Sequence, residues 1–147
     1  VSEFDKWLRG KVRVIDDTEL DEETIRNNHL VLFGDPDSNG VLRRVLPGLP
    51  VEWNDNTITV AGQTWSTETH GLSLIFPNPL NPAKYVVINS GHTMHEKDFE
   101  ASNSWLFPRL GDIAVQKYAP RDDGTFDEEI VWAANFDARW QLNADGD

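Results

Sequence analysis

Apolar and polar positions alternate in blocks along this chain, and the blocks predict its elements. His29-Leu-Val-Leu-Phe33 is a short apolar run that reads as a buried strand. Gly34 to Asp37 is a turn built of Gly, Asp and Pro. Ser38 or Asn39 then caps a helix through Val41, Leu42, Val45 and Leu46. Strand, tight polar loop and helix start make up one βα unit. Upstream, Phe4, Trp7 and Leu8 share a helical face that Gly10 ends, and Val12, Val14 and Ile15 predict a short strand. After the acidic loop Asp16–Leu20, Thr18 or Asp21 caps a short helix over Glu22–Arg26, which Asn27 and Asn28 end.

Pro47-Gly-Leu-Pro50 stops the second helix, and the period changes from helical to alternating. Val51–Trp53 is extended, and Thr57–Val60 and Gln63–Trp65 flank Ala61-Gly62 as a hairpin. Leu72–Phe76 is a strand, followed by Pro77-Asn-Pro-Leu-Asn-Pro82, which reads as a rigid, non-regular loop. Tyr85–Ile88 is a second buried strand, and Asn89-Ser-Gly-His-Thr93 leads from it to a helix from about Glu96 to Phe107. Ile113–Val115 and Ile130–Trp132 form a final strand pair joined by a loop from Ala119 to Glu128. The resulting expectation is a single three-layer α/β domain over residues 1–147, flavodoxin- or Rossmann-like. Its sheet is mostly parallel, with an antiparallel hairpin inserted around residues 51–76. The predicted core is Val31, Leu32, Phe33, Leu42, Leu74, Ile75, Val86, Val87, Ile88, Phe99, Leu106, Ile113 and Val115.

Loops at the carboxyl ends of parallel strands line the ligand crevice of such a sheet. The candidate ligand-binding residues are therefore Asp35, Asp37, Ser38 and Asn39 from one loop, and Asn89, Ser90, His92 and His95 from the other. They converge only if the two strands are neighbours. His92 and His95, with Glu96 and Asp35 or Asp37, supply nitrogen and oxygen donors for a divalent metal. A His-x-x-His pair in a loop is a weak signal, so no metal site and no cofactor is assigned. Ser90 and His92 are too close in sequence to serve readily as nucleophile and base, and the Gly-x-Ser-x-Gly elbow is absent. The Gly34–Asn39 loop matches neither phosphate-binding glycine motif, and its two aspartates oppose an anion.

Charge narrows the partners. The chain has 13 basic and 25 acidic residues, a net charge of −12, which repels nucleic acid and anionic membrane surfaces. No apolar run approaches the length of a membrane helix. With no cysteine, thiol catalysis, disulfides and Cys-based zinc sites are excluded. Of six tryptophans, Trp7, Trp105, Trp132 and Trp140 sit in apolar patterns, whereas Trp53 and Trp65 flank the hairpin as candidates for a docking surface.

Four phrases occur here in a familiar order: His29-Leu-Val-Leu-Phe-Gly-Asp-Pro-Asp-Ser-Asn39, Ile75-Phe-Pro-Asn-Pro-Leu-Asn-Pro82, Tyr85-Val-Val-Ile-Asn-Ser-Gly-His-Thr93 and Leu106-Phe-Pro-Arg-Leu-Gly-Asp-Ile113. Together with Phe136-Asp-Ala-Arg-Trp140, they resemble the C-terminal region of large bacterial, planctomycete-type, prolyl-oligopeptidase-like (S9) α/β-hydrolases, over about residues 4–142. The resemblance implies that a serine hydrolase domain lies upstream and that none of its catalytic residues falls within this chain. It implies an accessory domain partnered with that hydrolase domain, a periplasmic or secreted setting, and an additional strand before Val1. Without that strand one sheet edge is open, and an open edge or the Trp-rich face invites a homodimer.

Overall fold

The structure, a computed structural model, describes residues 11–91 and 110–142. Helix α1 (Glu22–Asn27) starts where the Asp21 carboxylate accepts the Thr24 N–H at 2.7 Å, and acidic Glu22 and Glu23 occupy its first turn. Strand β1 (Leu30–Phe33) and helix α2 (Gly40–Val45) follow, and a 3₁₀ turn (Leu46–Gly48) with Pro47 near its start closes the unit. Then come β2 (Glu52–Trp53), β3 (Thr57–Val60), β4 (Gln63–Ser66), β5 (His70–Asn78), β6 (Asn81–Asn89), β7 (Ile113–Pro120) and β8 (Phe126–Ala134). The β3–β4 turn has positive φ at both Ala61 (49°) and Gly62 (78°), the backbone that matches a two-residue hairpin to strand twist.

Two sheets result. The larger has strand order β1-β6-β5-β7-β8, and the smaller is β2-β3-β4. Among the described strands, only β1 and β6 are parallel; every other strand pair is antiparallel. One face of the large sheet presents Leu30, Leu32, Val86, Ile88, Leu72, Leu74, Ile113 and Val115 to the core. Ile25 of α1, Val41, Leu42 and Val45 of α2, and Val51, Trp53, Ile58 and Val60 of the small sheet join them in one cluster. The helices and the small sheet thus cover one face of the large sheet.

The expected three-layer, mostly parallel, flavodoxin- or Rossmann-like architecture is therefore wrong. The described residues form a predominantly β structure with a mixed sheet and short helices. The cause is local. A parallel sheet needs a long crossover between strands, but β5 returns directly to β6 around Pro79-Leu80, and β7 to β8 through residues 121–125. Pro77–Pro82 is thus the turn of a hairpin with a bulge at Pro77/Asn78. β7 pairs with β5 only from His70 to Leu74, so Pro77 sits beyond the reach of that ladder and its missing N–H costs nothing there.

The core expectation was partly wrong for a related reason. Leu32, Leu42, Leu74, Val86, Ile88, Ile113 and Val115 are buried. Val31 and Phe33 are 57% and 65% exposed, because alternate side chains of β1 leave the sheet on the face away from α2. Ile75 and Val87 are half-buried. The predicted helices over residues 2–8 and 96–107, with Phe99 and Leu106, lie outside the described residues. No helix among the described residues is long and apolar enough to cross a membrane.

Candidate functional site

The two loops singled out by sequence do share one end of the sheet. β1 and β6 are neighbours in parallel, and their last residues, Phe33 and Asn89, are register partners. The Gly34 N–H extends the ladder to the Asn89 carbonyl at 3.4 Å. Gly34 has φ of 97°, and a Cβ there would meet Ser38 Oγ at 2.5 Å, so the chain leaves β1 through a bend that favours glycine.

The Gly34–Asn39 loop is held by its own side chains. Asp35 Oδ1 accepts the N–H groups of Asp37 (2.9 Å) and Ser38 (2.8 Å). Ser38 Oγ accepts the Asp35 N–H at 3.0 Å. Asn39 Oδ1 accepts from Val41 and Leu42, capping α2. Asp17 accepts the Gly40 N–H at 2.6 Å, and the Arg43 guanidinium donates to the carbonyls of Pro36 and Asp37. The first N–H groups of α2 are thus already paired, which leaves no anion site at this helix start. The Ser38 N–H, foremost, holds the Asp35 carboxyl below the usual range, against the opposing effect of desolvation.

Beside this loop lies a cleft of about 320 Å³. Asp35, Pro36 and Asp37 form one wall and Ser90 comes from the end of β6. The remaining lining is Trp53 at the end of β2 with Asn54 and Asp55 after it, Thr67 and Glu68 between β4 and β5, and His70 at the start of β5. Thr67 Oγ1 donates to the Asp55 carbonyl at 2.6 Å and so ties those two turns together. His70 Nδ1 lies 2.9 Å from Thr69 Oγ1 and 3.1 Å from the Ser66 carbonyl, which leaves Nε2 without a partner among the described residues.

Of the sequence candidates, Asp35, Asp37 and Ser90 line this cleft. Ser38 and Asn39 serve as turn and cap and line a separate cavity beside β1, and Asn89 sits at the strand end. His92 and His95 lie outside the described residues. Asp55, Glu68 and His70 were missed. Only the antiparallel pairing of β5 with β6, which brings Ser73 opposite Asn89, carries the start of β5 to this end of the sheet. Four carboxylate side chains, an imidazole and an indole make the cleft suited to an organic cation. Among the described residues, no group of three or more His, Asp or Glu side chains is arranged to hold a metal ion.

Tyr118 Oη donates to the carbonyl of Ser90, one of the residues lining the cleft, at 3.2 Å. Burial, then the nearby Glu128 charge, push the Tyr118 phenol far above its usual value, so it remains a donor at any physiological pH. No protein family, curated protein or solved structure matches the chain.

Proposed function

We propose that this chain is a non-catalytic accessory domain of a larger prolyl-oligopeptidase-like serine hydrolase, packed against the hydrolase domain of the same protein. The resemblance of five phrases to the C-terminal region of those enzymes supports it. In their described parts, these phrases supply β1, the β5–β6 turn, the end of β6, the start of β7 and the segment after β8.

The single observation that carries the reading is the β7–β8 arm. Residues 119–131 are exposed without exception and add nothing to the core. Phe126 is 60% exposed, and Ile130 and Val131 are 38% and 37% exposed. Arg121 pairs with Asp127 across the arm, which keeps its shape without a core beneath it. A long two-stranded ribbon with apolar side chains in water is marginal alone, and a partner surface supplies the missing burial. The test is to delete residues 121–125 and join the strands by Asn-Gly within the complete protein. Loss of hydrolase activity or stability with the domain itself still folded supports the reading; an unchanged enzyme counts against it.

The second reading is a small-ligand site in the cleft, favoured by the convergence of Asp35, Asp37 and Ser90 with Asp55, Glu68 and His70. Thermal-shift titrations with arginine, spermidine and calcium, on the wild type and on an Asp55→Asn, Glu68→Gln double variant, test it. A shift present only in the wild type supports this reading, and no shift with any probe removes it.

A further inference from the structure

β1 and β8 are the two edges of the large sheet, and they differ in chemistry. β8 carries Asp127, Glu128 and Glu129 in a fully exposed stretch, the charged edge by which a sheet avoids pairing with another. β1 is Leu-Val-Leu-Phe, with no charge. Its register with β6 and the Gly34–Asn89 bond turn the backbone groups of Leu30 and Leu32 inward, and those of Val31 and Phe33 outward. Among the described residues, no strand pairs with that outward side. Across a cavity of about 540 Å³ from it stands the chain's own segment Val12–Ile15. The three β-branched residues Val12, Val14 and Ile15 are exposed, and residues 11–16 form no strand. The far end of the segment is fixed. Asp16 Oδ1 accepts the Thr18 N–H and the Asp16 carbonyl accepts the Glu19 N–H, each at 3.0 Å, which makes a turn. Asp17 then accepts the Gly40 N–H at 2.6 Å, at the start of α2. That start is itself tied to the carboxyl end of β1, where Asn39 Nδ2 donates to the Phe33 carbonyl.

We propose that Val12–Ile15 is a strap that closes onto β1 as a parallel sixth strand and seals the uncharged edge against other chains. The direction follows from the tether. Asp17 is held at the carboxyl end of β1, and Asn28 and His29, which line the same cavity, precede its amino end. A segment that arrives at Asp17 along this edge therefore runs the same way as β1. The connection fits as well. Parallel neighbours need a crossover of about a dozen residues or more, and residues 16–29 supply one that contains α1. Ile25 already seats that helix in the core, so closure moves only the strap, about its turn at Asp16. At the usual spacing of about 4.8 Å between strands, the cavity is filled and the outward N–H groups of Val31 and Phe33 gain acceptors. The strap's β-branched residues suit a strand, and pairing withdraws part of their surface from water. The strap thus does for β1 what three carboxylates do for β8. It does so whether or not the domain serves a hydrolase.

Amide hydrogen exchange and nuclear Overhauser contacts, measured by NMR on the 147-residue chain, test the strap. In the wild type the Val31 and Phe33 amides should exchange about 100-fold more slowly than free-chain amides, and contacts should join residues 12–15 to Val31 or Phe33. The Leu32 amide, bonded to β6, reports whether the sheet is intact. An Arg13→Pro, Val14→Pro double variant blocks pairing in either register, because one of two consecutive residues must face β1. It should abolish the protection of Val31 and Phe33 and leave that of Leu32 unchanged. Asp17→Ala frees the far end of the strap and should lower the same two protections by about tenfold, again without change at Leu32. Free-chain exchange of Val31 and Phe33 in the wild type, or protection that survives the double variant, would overturn the proposal. So would protection that rises with protein concentration, which would assign the edge to a second copy.

Discussion

The carboxamide of Asn39 joins the end of β1 to the start of α2: Nδ2 donates to the Phe33 carbonyl at 3.1 Å while Oδ1 accepts the N–H groups of Val41 and Leu42. One side chain thus fixes the angle between strand and helix. Asn39→Ala loses both functions and should cost about 1–2 kcal/mol in urea denaturation. Asn39→Asp keeps the cap and loses only the strand bond, so it should cost clearly less. Equal losses for the two variants would mean that the cap contributes nothing.

Ala61 occupies a left-handed backbone conformation, φ 49°, in a hairpin turn whose other residue is Gly62. An alanine there carries strain of about 1 kcal/mol that glycine or asparagine avoids. Ala61→Gly and Ala61→Asn should therefore both raise the thermal midpoint, by a few degrees. A lower midpoint for both would place the turn in another conformation.

The β3–β4 hairpin was legible, and each helix cap was legible to within two residues, Ser38 or Asn39 and Thr18 or Asp21, because each rests on a short-range rule: positive φ at Ala61-Gly62, or a side-chain oxygen over the first helical N–H groups. The structure selects Asn39 and Asp21. Strand direction was not legible. Pro77–Pro82 reads as a loop until it is known that β7 stops pairing at Leu74 and leaves Pro77 without a neighbour on that side. The apolar run at 29–33 likewise reads as buried on both faces, as in an all-parallel sheet. Its period of two instead sends Leu30 and Leu32 inward and Val31 and Phe33 outward. Asp35, Asp37 and Ser90 could be placed after two buried strands from their loops, but that they share one end of the sheet rests on β1 and β6 being parallel neighbours, which the sequence left open. Asp55, Glu68 and His70 reach it through long-range pairing that no local pattern encodes.

Gln116 is fully buried on β7, opposite Gly71, and neither its Oε1 nor its Nε2 has a hydrogen-bond partner among the described residues. A buried carboxamide without partners retains its desolvation cost, about 1–3 kcal/mol. Gln116→Met keeps the length of the side chain and removes both polar atoms. It should leave stability equal or raise it by about 1 kcal/mol in guanidinium denaturation. A loss of more than about 1 kcal/mol would show that the amide is bonded in solution.

Asp35 titrates below an ordinary carboxylate because its folded form accepts N–H donors that the unfolded chain lacks. Its folded pKa is depressed, so its contribution is present above the unfolded value, near pH 4, and is lost as pH falls through the folded value. Asp35→Asn should flatten the acid limb of the stability–pH profile below about pH 4 and leave its slope near neutrality unchanged. An acid limb identical to that of the wild type would remove Asp35 from the acid response.

The accessory reading makes one statement that a single observation decides, which is the content of the coding sequence upstream of Val1. The account predicts several hundred codons in frame that encode a Gly-x-Ser-x-Gly elbow with its acid and histidine, so that the β7–β8 arm has a hydrolase surface to meet. An upstream frame that encodes no hydrolase contradicts it, and the cleft between Asp35, Asp55 and His70 then becomes the place where the function of this chain is to be sought.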